Sequence, residues 1–234
     1  MRYEFKIPLP EDDYHTVIRK LFSSNYLIRE IYQERQINNI YFDTLGYTDY
    51  LSNTHGDSER KKYRIRWYGK LNDKITSPTL EQKYKKGMLG GKKSISLPEF
   101  IFDSSFSFQN YSSYLKERLL SSSDEYDWMV GELLQRNPVL VNQYRRRYYL
   151  TANGKYRITL DHDIMYYHYQ SALYNKNNTF GTRDPRMIIE IKFDAKDLRG
   201  AEQLINDLGY RVYKNSKYVN GINAILYHST FQVE

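Results

Sequence analysis

The chain has 234 residues, a formal net charge of +7 at pH 7 and an isoelectric point near 9.2, a balance that favours an anionic partner: phosphate compounds, nucleic acid or an anionic membrane. It has no cysteine, which excludes disulfides and thiolate metal sites, and no apolar run approaches the roughly 20 residues of a membrane-spanning helix. With no targeting segment ahead of the first strand the expectation is a cytoplasmic protein, and the length suits one all-β domain over residues 1–234.

Residues 2–8 read as a strand ended by Pro8 and Pro10. Glu11 to about Asn25 reads as an amphipathic helix with Tyr14, Val17, Ile18, Leu21 and Phe22 on one stripe. A strand over Asn38–Asp43, a helical turn around Tyr47–Leu51 and a polar loop over Ser52–Glu59 follow. Strands are expected at about 61–69, 78–86 and 92–97, with turns at 71–73 and Gly87–Gly91. From Phe100 to Pro138 alternation stops. Two helical patterns, about 110–120 and 126–136, read as an insertion packed on the sheet. Strands return at about 142–151 and 155–162 around the hairpin signal Ala152-Asn153-Gly154. An extended Ile164–Tyr169 leads to a polar loop over 170–185, and a strand occupies 186–194. A helix over Lys196–Leu208 is closed by Gly209, then come a short strand at Tyr210–Tyr213 and a last helix around Val219–His228. The class is mainly β (α+β): an antiparallel closed barrel of about eight strands with peripheral helices.

Several strands place charge at every second residue, as in Arg2-Tyr3-Glu4-Phe5-Lys6, Tyr63-Arg64-Ile65-Arg66-Trp67 and Leu80-Glu81-Gln82-Lys83-Tyr84-Lys85. Tyr144-Arg145-Arg146-Arg147-Tyr148, Arg157-Ile158-Thr159-Leu160-Asp161 and Ile189-Glu190-Ile191-Lys192-Phe193 repeat the rhythm. Residues i and i+2 share a strand face, so each segment has an apolar face and a charged one. Converging faces of this kind form a cationic cavity for a polyanion. Arginine suits phosphate through its planar fork, lysine as a point charge. Glu4, Glu81 and Glu190 are hard oxygen donors for Mg²⁺ or Mn²⁺. The alternative is a solvated surface with ordinary ion pairs.

In this order and spacing these segments resemble the VTC domain, the polyphosphate-polymerase module of the triphosphate tunnel (CYTH-like) superfamily, in its bacterial form. Asn39-Ile40-Tyr41-Phe42-Asp43-Thr44 and Ser216-Lys217-Tyr218-Val219-Asn220-Gly221 extend the match nearly end to end. The resemblance implies a tunnel in which a phosphoryl group passes from a nucleoside triphosphate such as ATP to inorganic polyphosphate, with Mn²⁺ or Mg²⁺ as cofactor. It implies phosphate contacts from Lys6, Arg64, Arg66, Lys83, Tyr144, Arg146 and Arg157, with Lys93 a further basic contact. It makes Glu190 the metal ligand and sets Lys214, Ser216 and Lys217 beside the transferred group, with Arg64 and Arg66 in the chemistry. Triphosphate and pyrophosphate are shorter ligands of the same class.

The first strand carries Arg2 where hydrolytic members have the first acid of Glu-x-Glu-x-Lys, which favours the polymerase branch over a triphosphatase. Hydrolysis of triphosphate or polyphosphate, and binding without turnover, remain alternatives. Nucleic-acid binding is disfavoured by phase: Trp67 lies on the face opposite Arg64 and Arg66, so stacking and phosphate contact fall on different sides. Gly87–Ser94 lacks P-loop spacing, and the five histidines show no paired metal spacing. Asp161 and Asp163 share a face and could hold metal, or balance a neighbouring arginine. The chain has no membrane span, which leaves a membrane partner open.

Overall fold

The computed structural model describes residues 2–87, 89–120, 127–175 and 181–230. In chain order the elements begin with β1 (Arg2–Pro10), α1 (Tyr14–Phe22), β2 (Arg29–Asp43) and α2 (Thr48–His55). Next come β3 (Glu59–Tyr68), β4 (Lys74–Ile75), β5 (Thr79–Lys86), β6 (Leu89–Ser96) and β7 (Phe100–Ile101). Helices α3 (Phe108–Leu120) and α4 (Asp127–Leu134) precede β8 (Asn137–Leu150) and β9 (Arg157–His168). The chain continues with α5 (Tyr169–Leu173), β10 (Thr182–Arg183), β11 (Arg186–Asp194), α6 (Leu198–Leu208) and α7 (Lys217–Thr230).

Among the described residues nine strands join in one mainly antiparallel sheet, ordered β1-β11-β9-β8-β2-β3-β5-β6 with β10 beside β9. That pairing makes a path with two ends, β1 and β6; the closed barrel expected from the sequence goes further than the pairing does. Two compact units emerge, each assembled from three separate stretches: 1–37, 143–165 and 183–216 in the first, 38–142, 166–182 and 217–234 in the second. Because strands β2, β8 and β9 run from one unit into the other, no linker in the sequence marks the division.

In the first unit the apolar halves of β1, β9 and β11 (Ile7, Ile158, Leu160, Met187, Ile189, Ile191, Phe193) form one core. Two amphipathic helices cover it. Helix α1 buries Val17 and Leu21, and α6 buries Ala201, Leu204, Ile205 and Leu208, the i, i+3, i+4, i+7 stripe of a helix with one wet side. Each buried leucine or isoleucine contributes about 1.5–3 kcal/mol relative to exposure. The first turn of the expected 11–25 helix is a 3-10 turn (Glu11–Asp13), and Ser23 ends it.

The second unit contains the meander β3–β5–β6. One face buries Tyr63, Ile65, Trp67 and Leu80. Trp67 joins an aromatic cluster with Phe100 and Phe102, and Phe106 and Tyr111 pack on Phe100. Helix α7 approaches its neighbours through Gly221: a Cβ there would meet Leu140 Cδ2 at 2.5 Å and Tyr166 Cδ1 at 2.7 Å. Helix α2 is held at its first turn by the Asp43 carboxylate, which accepts the backbone N–H groups of Asp49 at 2.9 Å and Tyr50 at 2.8 Å. Asp49 in turn accepts from Arg136 Nε at 2.8 Å.

Several expectations change. The loop expected over Ser52–Glu59 is helix as far as His55, and the loop expected over 170–185 holds α5 and β10. Strand β2 starts at Arg29, nine residues before Asn38, and its first half is mostly exposed, so no apolar periodicity announces it. Tyr210–Tyr213 is not a strand; its tie to the sheet is one bond, from Tyr213 N–H to the Lys6 carbonyl at 2.9 Å. Ile164–Tyr169 is no separate segment, because Ile164–His168 completes β9, where Asp163 takes a left-handed φ of 50°. Met88 of the expected 87–91 turn, Tyr126 of the expected second helix and residues 176–180 of the expected loop lie outside the described residues. Among the described residues no helix is long and apolar enough to cross a membrane.

Candidate phosphate-binding faces

Each unit carries one charged strand face. In the first, the register sets Lys6 opposite Glu190 and Glu190 opposite Thr159, while Glu4, Lys192 and Arg157 form the next row. The apolar partners of these residues point into the core described above, so alternation alone gathers the charges on one side. Glu190 is buried. Its Oε2 accepts from Arg146 Nη2 at 3.1 Å and lies 3.7 Å from Lys192 Nζ, and its Oε1 lies 3.9 Å from Lys6 Nζ. Arg146 is clamped by Asp161, with Nε on one carboxylate oxygen and Nη2 on the other at 2.6 Å. Burial alone would disfavour the Arg146 charge; Asp161, Tyr144 and Glu190 outweigh it and raise the pKa well above the ordinary arginine value. Tyr144 shares this face, its ring centroid 5.4 Å from the guanidinium carbon of Arg146. Arg157 and Lys214 are exposed and Ser216 is half-buried. Lys6 Nζ also donates to the Asn215 carbonyl at 3.2 Å, fastening the 213–216 segment to β1.

In the second unit the face is more one-sided. The register runs Arg64–Glu81–Ser94 and, two residues away, Lys62–Lys83–Lys92 straight across three strands. Lys62, Arg64, Arg66, Lys83 and Lys92 thus share this face with the Glu81 carboxylate, and the register adds Arg60 and Lys85 at its far end. Glu81 accepts from Arg64 Nε at 2.7 Å and from Lys92 Nζ at 2.8 Å, and lies 3.6 Å from Arg66 Nη1. Burial opposes its ionisation, yet Arg64, Arg66 and Lys92 hold the carboxyl well below the usual range. Arg66 Nε donates to Asn39 Oδ1 at 3.1 Å, and Asn39 is itself fixed by Asn142 at 2.8 Å. Lys217 opens α7 in this unit and is buried.

One expected contact lies elsewhere. Lys93 is on the opposite face of β6, its Nζ 4.7 Å from the Trp128 ring centroid, and Lys92 occupies the charged face instead. The cause is the hairpin. Strand β6 begins at Leu89, so Gly90 and Gly91 are paired strand residues and the parity shifts by one. Glycine at 91 lets the Tyr84 ring lie over the place a Cβ would take. Sequence reasoning gave Lys62 no role, and it set Lys192 beside Glu190 without counting it as a phosphate contact. Two-residue spacing from Arg64 and Glu190 is the signal that finds them.

Asp161 and Asp163 do not act together. Asp161 belongs to Arg146, whereas Asp163 pairs with Arg183 at 2.9 Å, and His162 Nε2 sits 2.9 Å from Glu34. Glu11, His162 and Asp163 cluster closely, but Arg183 already bridges Glu11 and Asp163. At Glu190 the carboxylate faces Arg146, Lys6 and Lys192, and the hydroxyl of Thr159, directly across the ladder, is buried and without a hydrogen-bond partner among the described residues. A carboxylate and a hydroxyl are hard oxygens, and Mg²⁺ is commonly held by one or two carboxylates with water and substrate phosphates completing its shell.

Comparison with solved structures finds this fold in distant proteins. A Bacillus halodurans protein described as a candidate adenylate cyclase aligns over 92% of this chain and 94% of its own, at 12% identity and a TM-score of 0.55. A Pyrococcus horikoshii protein aligns over 97% and 99% at 14% identity and TM-score 0.49. A Vibrio parahaemolyticus protein, also described as a candidate adenylate cyclase, aligns over 92% and 94% at 12% identity and TM-score 0.47. At such identity the first of these speaks for the fold alone. No curated protein matches. The family model of the VTC domain matches residues 1–226, nearly the whole chain, and on that match the chain belongs to the VTC-domain family.

Proposed function

We propose that the chain transfers the γ-phosphoryl group of a nucleoside triphosphate, such as ATP, onto inorganic polyphosphate with the help of Mn²⁺ or Mg²⁺. The row Lys62–Lys83–Lys92 beside Arg64 and Arg66 carries this reading. Like charges directly across a sheet destabilise it, by ~0.2–1 kcal/mol per pair, and a merely solvated face gains nothing from keeping them. A polyanion turns the same repulsion into attraction. The family supports a phosphotransferase or a triphosphatase-like enzyme; the Arg2 position and the scarcity of acids on the second face favour transfer. The closed barrel and the cytoplasmic location expected from the sequence are part of this reading.

The chemistry needs no protein nucleophile. A terminal oxygen of the polyphosphate attacks the γ-phosphorus, a P–O–P linkage forms, and the bond to the bridging oxygen breaks as nucleoside diphosphate leaves with the electron pair. The residues align these groups and neutralise charge. Arg64 and Arg66, oriented by Glu81 and Asn39, present preset forks to phosphate oxygens, with Lys83 and Lys92 as point charges. Lys6, Tyr144, Arg146 and Arg157 serve the same end on the other face. Lys217 in the second unit, and Lys214 with Ser216 in the first, are further donors to phosphate oxygens. Glu190 and Thr159 would hold the divalent ion, which supplies charge neutralisation and geometry to the phosphates when bound.

Incubation with ATP and Mn²⁺, with products resolved by gel and free phosphate assayed in parallel, tests the proposal. A polyphosphate ladder is the expected result. Free phosphate without a ladder moves the protein to hydrolysis, and neither product, with tight polyphosphate binding, makes it a binding module. Glu190→Gln should keep tripolyphosphate binding and lose the Mn²⁺ dependence; full Mn²⁺-stimulated turnover in that variant rules out the Glu190 metal site.

A further inference from the structure

Tyr218 follows Lys217 in the first turn of α7 and is anchored on three sides within its unit. Its hydroxyl donates to Asp43 Oδ2, the carboxylate that already holds the first turn of α2. Its ring stacks on Tyr41 with centroids 5.1 Å apart and planes 26° from parallel, and meets Tyr50 edge-on at 6.4 Å. Tyr41 is not inert: its hydroxyl accepts from Arg64 Nη1 at 3.2 Å. Tyr50 reaches α7 a second time, through a hydrogen bond from its hydroxyl to Asn223. One buried ring thus connects the residue beside Lys217 to the aromatic that orients Arg64.

Packing alone does not need this. A phenylalanine would fill the space and stack on Tyr41 equally well, and Asp43 keeps both backbone donors of α2 without the phenol. What the hydroxyl adds is direction. A stacked ring slides at small energetic cost, whereas a hydrogen bond to a carboxylate fixed by three backbone donors pins α7 in rotation and height. Burial, and next to it the Asp43 charge, push the Tyr218 pKa far up, so the phenol stays a donor at any working pH.

We propose that Tyr218 is a positioning residue: its bond to Asp43 and its stack on Tyr41 hold Lys217 and Arg64 in one frame for the phosphoryl group in transfer. The proposal rests on the reading of Lys217 and Arg64 as phosphate contacts. The residue touches no substrate itself, so its loss should appear in turnover more than in affinity.

The test is Tyr218→Phe in the full chain, with tripolyphosphate as probe. We expect calorimetric affinity to change less than about threefold, since the other cations of the face are intact, while kcat falls by ten- to a hundredfold, the scale of a misplacement near 1 Å. A readout independent of turnover accompanies it: acylation of Lys217, followed by peptide mass spectrometry, with and without tripolyphosphate. Bound anion should shield Lys217 in the wild type and shield it poorly in Tyr218→Phe. Asp43→Asn, which weakens the same bond and keeps the ring, should move both readouts the same way and serves if Tyr218→Phe folds poorly. Unchanged kcat and unchanged shielding in a folded variant overturn the proposal. A wild type without turnover but with shielded Lys217 removes the polymerase reading alone, and the shielding difference still decides the role of Tyr218. A wild type in which Lys217 is unshielded removes Lys217 from the phosphate site, and the proposal with it.

Discussion

Replacing Glu81 by glutamine takes a carboxylate out of a group of arginines and lysines. The residue is buried, bonded to Arg64 and Lys92 and close to Arg66. Breaking a buried pair by removing one partner costs about 3–5 kcal/mol. Arg66 keeps Asn39 and Lys92 is half exposed, which places the expected loss at the lower end, about 3 kcal/mol. For a chain of this size that is a fall in melting temperature of roughly 6–12 °C. Anion binding should move the other way. Removing one negative charge about 8 Å from a bound phosphate, at an effective dielectric of about 40, gains roughly 1 kcal/mol, or about fivefold in affinity. Scanning calorimetry reads the first effect and titration calorimetry with tripolyphosphate the second. A folded Glu81→Gln protein whose affinity drops refutes the reasoning, because the aim that Glu81 gives the arginines would then outweigh the negative charge it brings to the face. The sign with pH follows from the depressed carboxyl pKa. Its stabilisation is complete above the unfolded value of about 4.3 and is lost only as pH falls through the lower folded value. The stability gap between wild type and Glu81→Gln should therefore stay flat from neutral pH to mildly acidic pH and close only in strong acid; a gap that closes near pH 6 contradicts this account.

Lys92→Ala should weaken tripolyphosphate binding several-fold, while Lys93→Ala, whose side chain lies over Trp128 on the other face, should leave it unchanged by calorimetry. Equal effects would mean that the strand parity is wrong. Gly221→Ala forces a methyl group against Leu140 and Tyr166 and should destabilise by about 1–3 kcal/mol, read by denaturant unfolding; a neutral result would show that α7 can shift outward freely. Raising salt should weaken tripolyphosphate binding steeply, since exposed ionic contacts are screened within about 8–10 Å at physiological strength. A flat salt series would remove the cationic face from the binding site.

Much of the charged face could be read from the sequence because a strand has a period of two. Arg64 with Arg66, and Glu81 with Lys83, share a side whatever the surrounding fold. What spacing does not carry is parity across a turn, and so Lys93 was expected where Lys92 stands: the second strand begins at Leu89, three residues before the expected 92, and an odd shift reverses the faces. The same limit applies at Asp163, where one left-handed residue ends the alternation that would have aligned it with Asp161. The first half of β2 escaped because both of its sides are wet, leaving no apolar rhythm to detect. The pairing of Asp43 with Tyr218 joins residues 175 positions apart, and nothing local in either segment announces it. Helices α1 and α6 were the easiest elements, since each has one buried stripe.

The row of three lysines also links the protein's lifetime to its surroundings. Any anion that bridges Lys62, Lys83 and Lys92 binds the folded chain and has no equivalent site on the unfolded one, so it raises stability by mass action, by about 2.7 kcal/mol at a hundred times its dissociation constant. Were condensed phosphate such an anion, the folded population would follow its supply, and resistance to proteolysis would rise and fall with it.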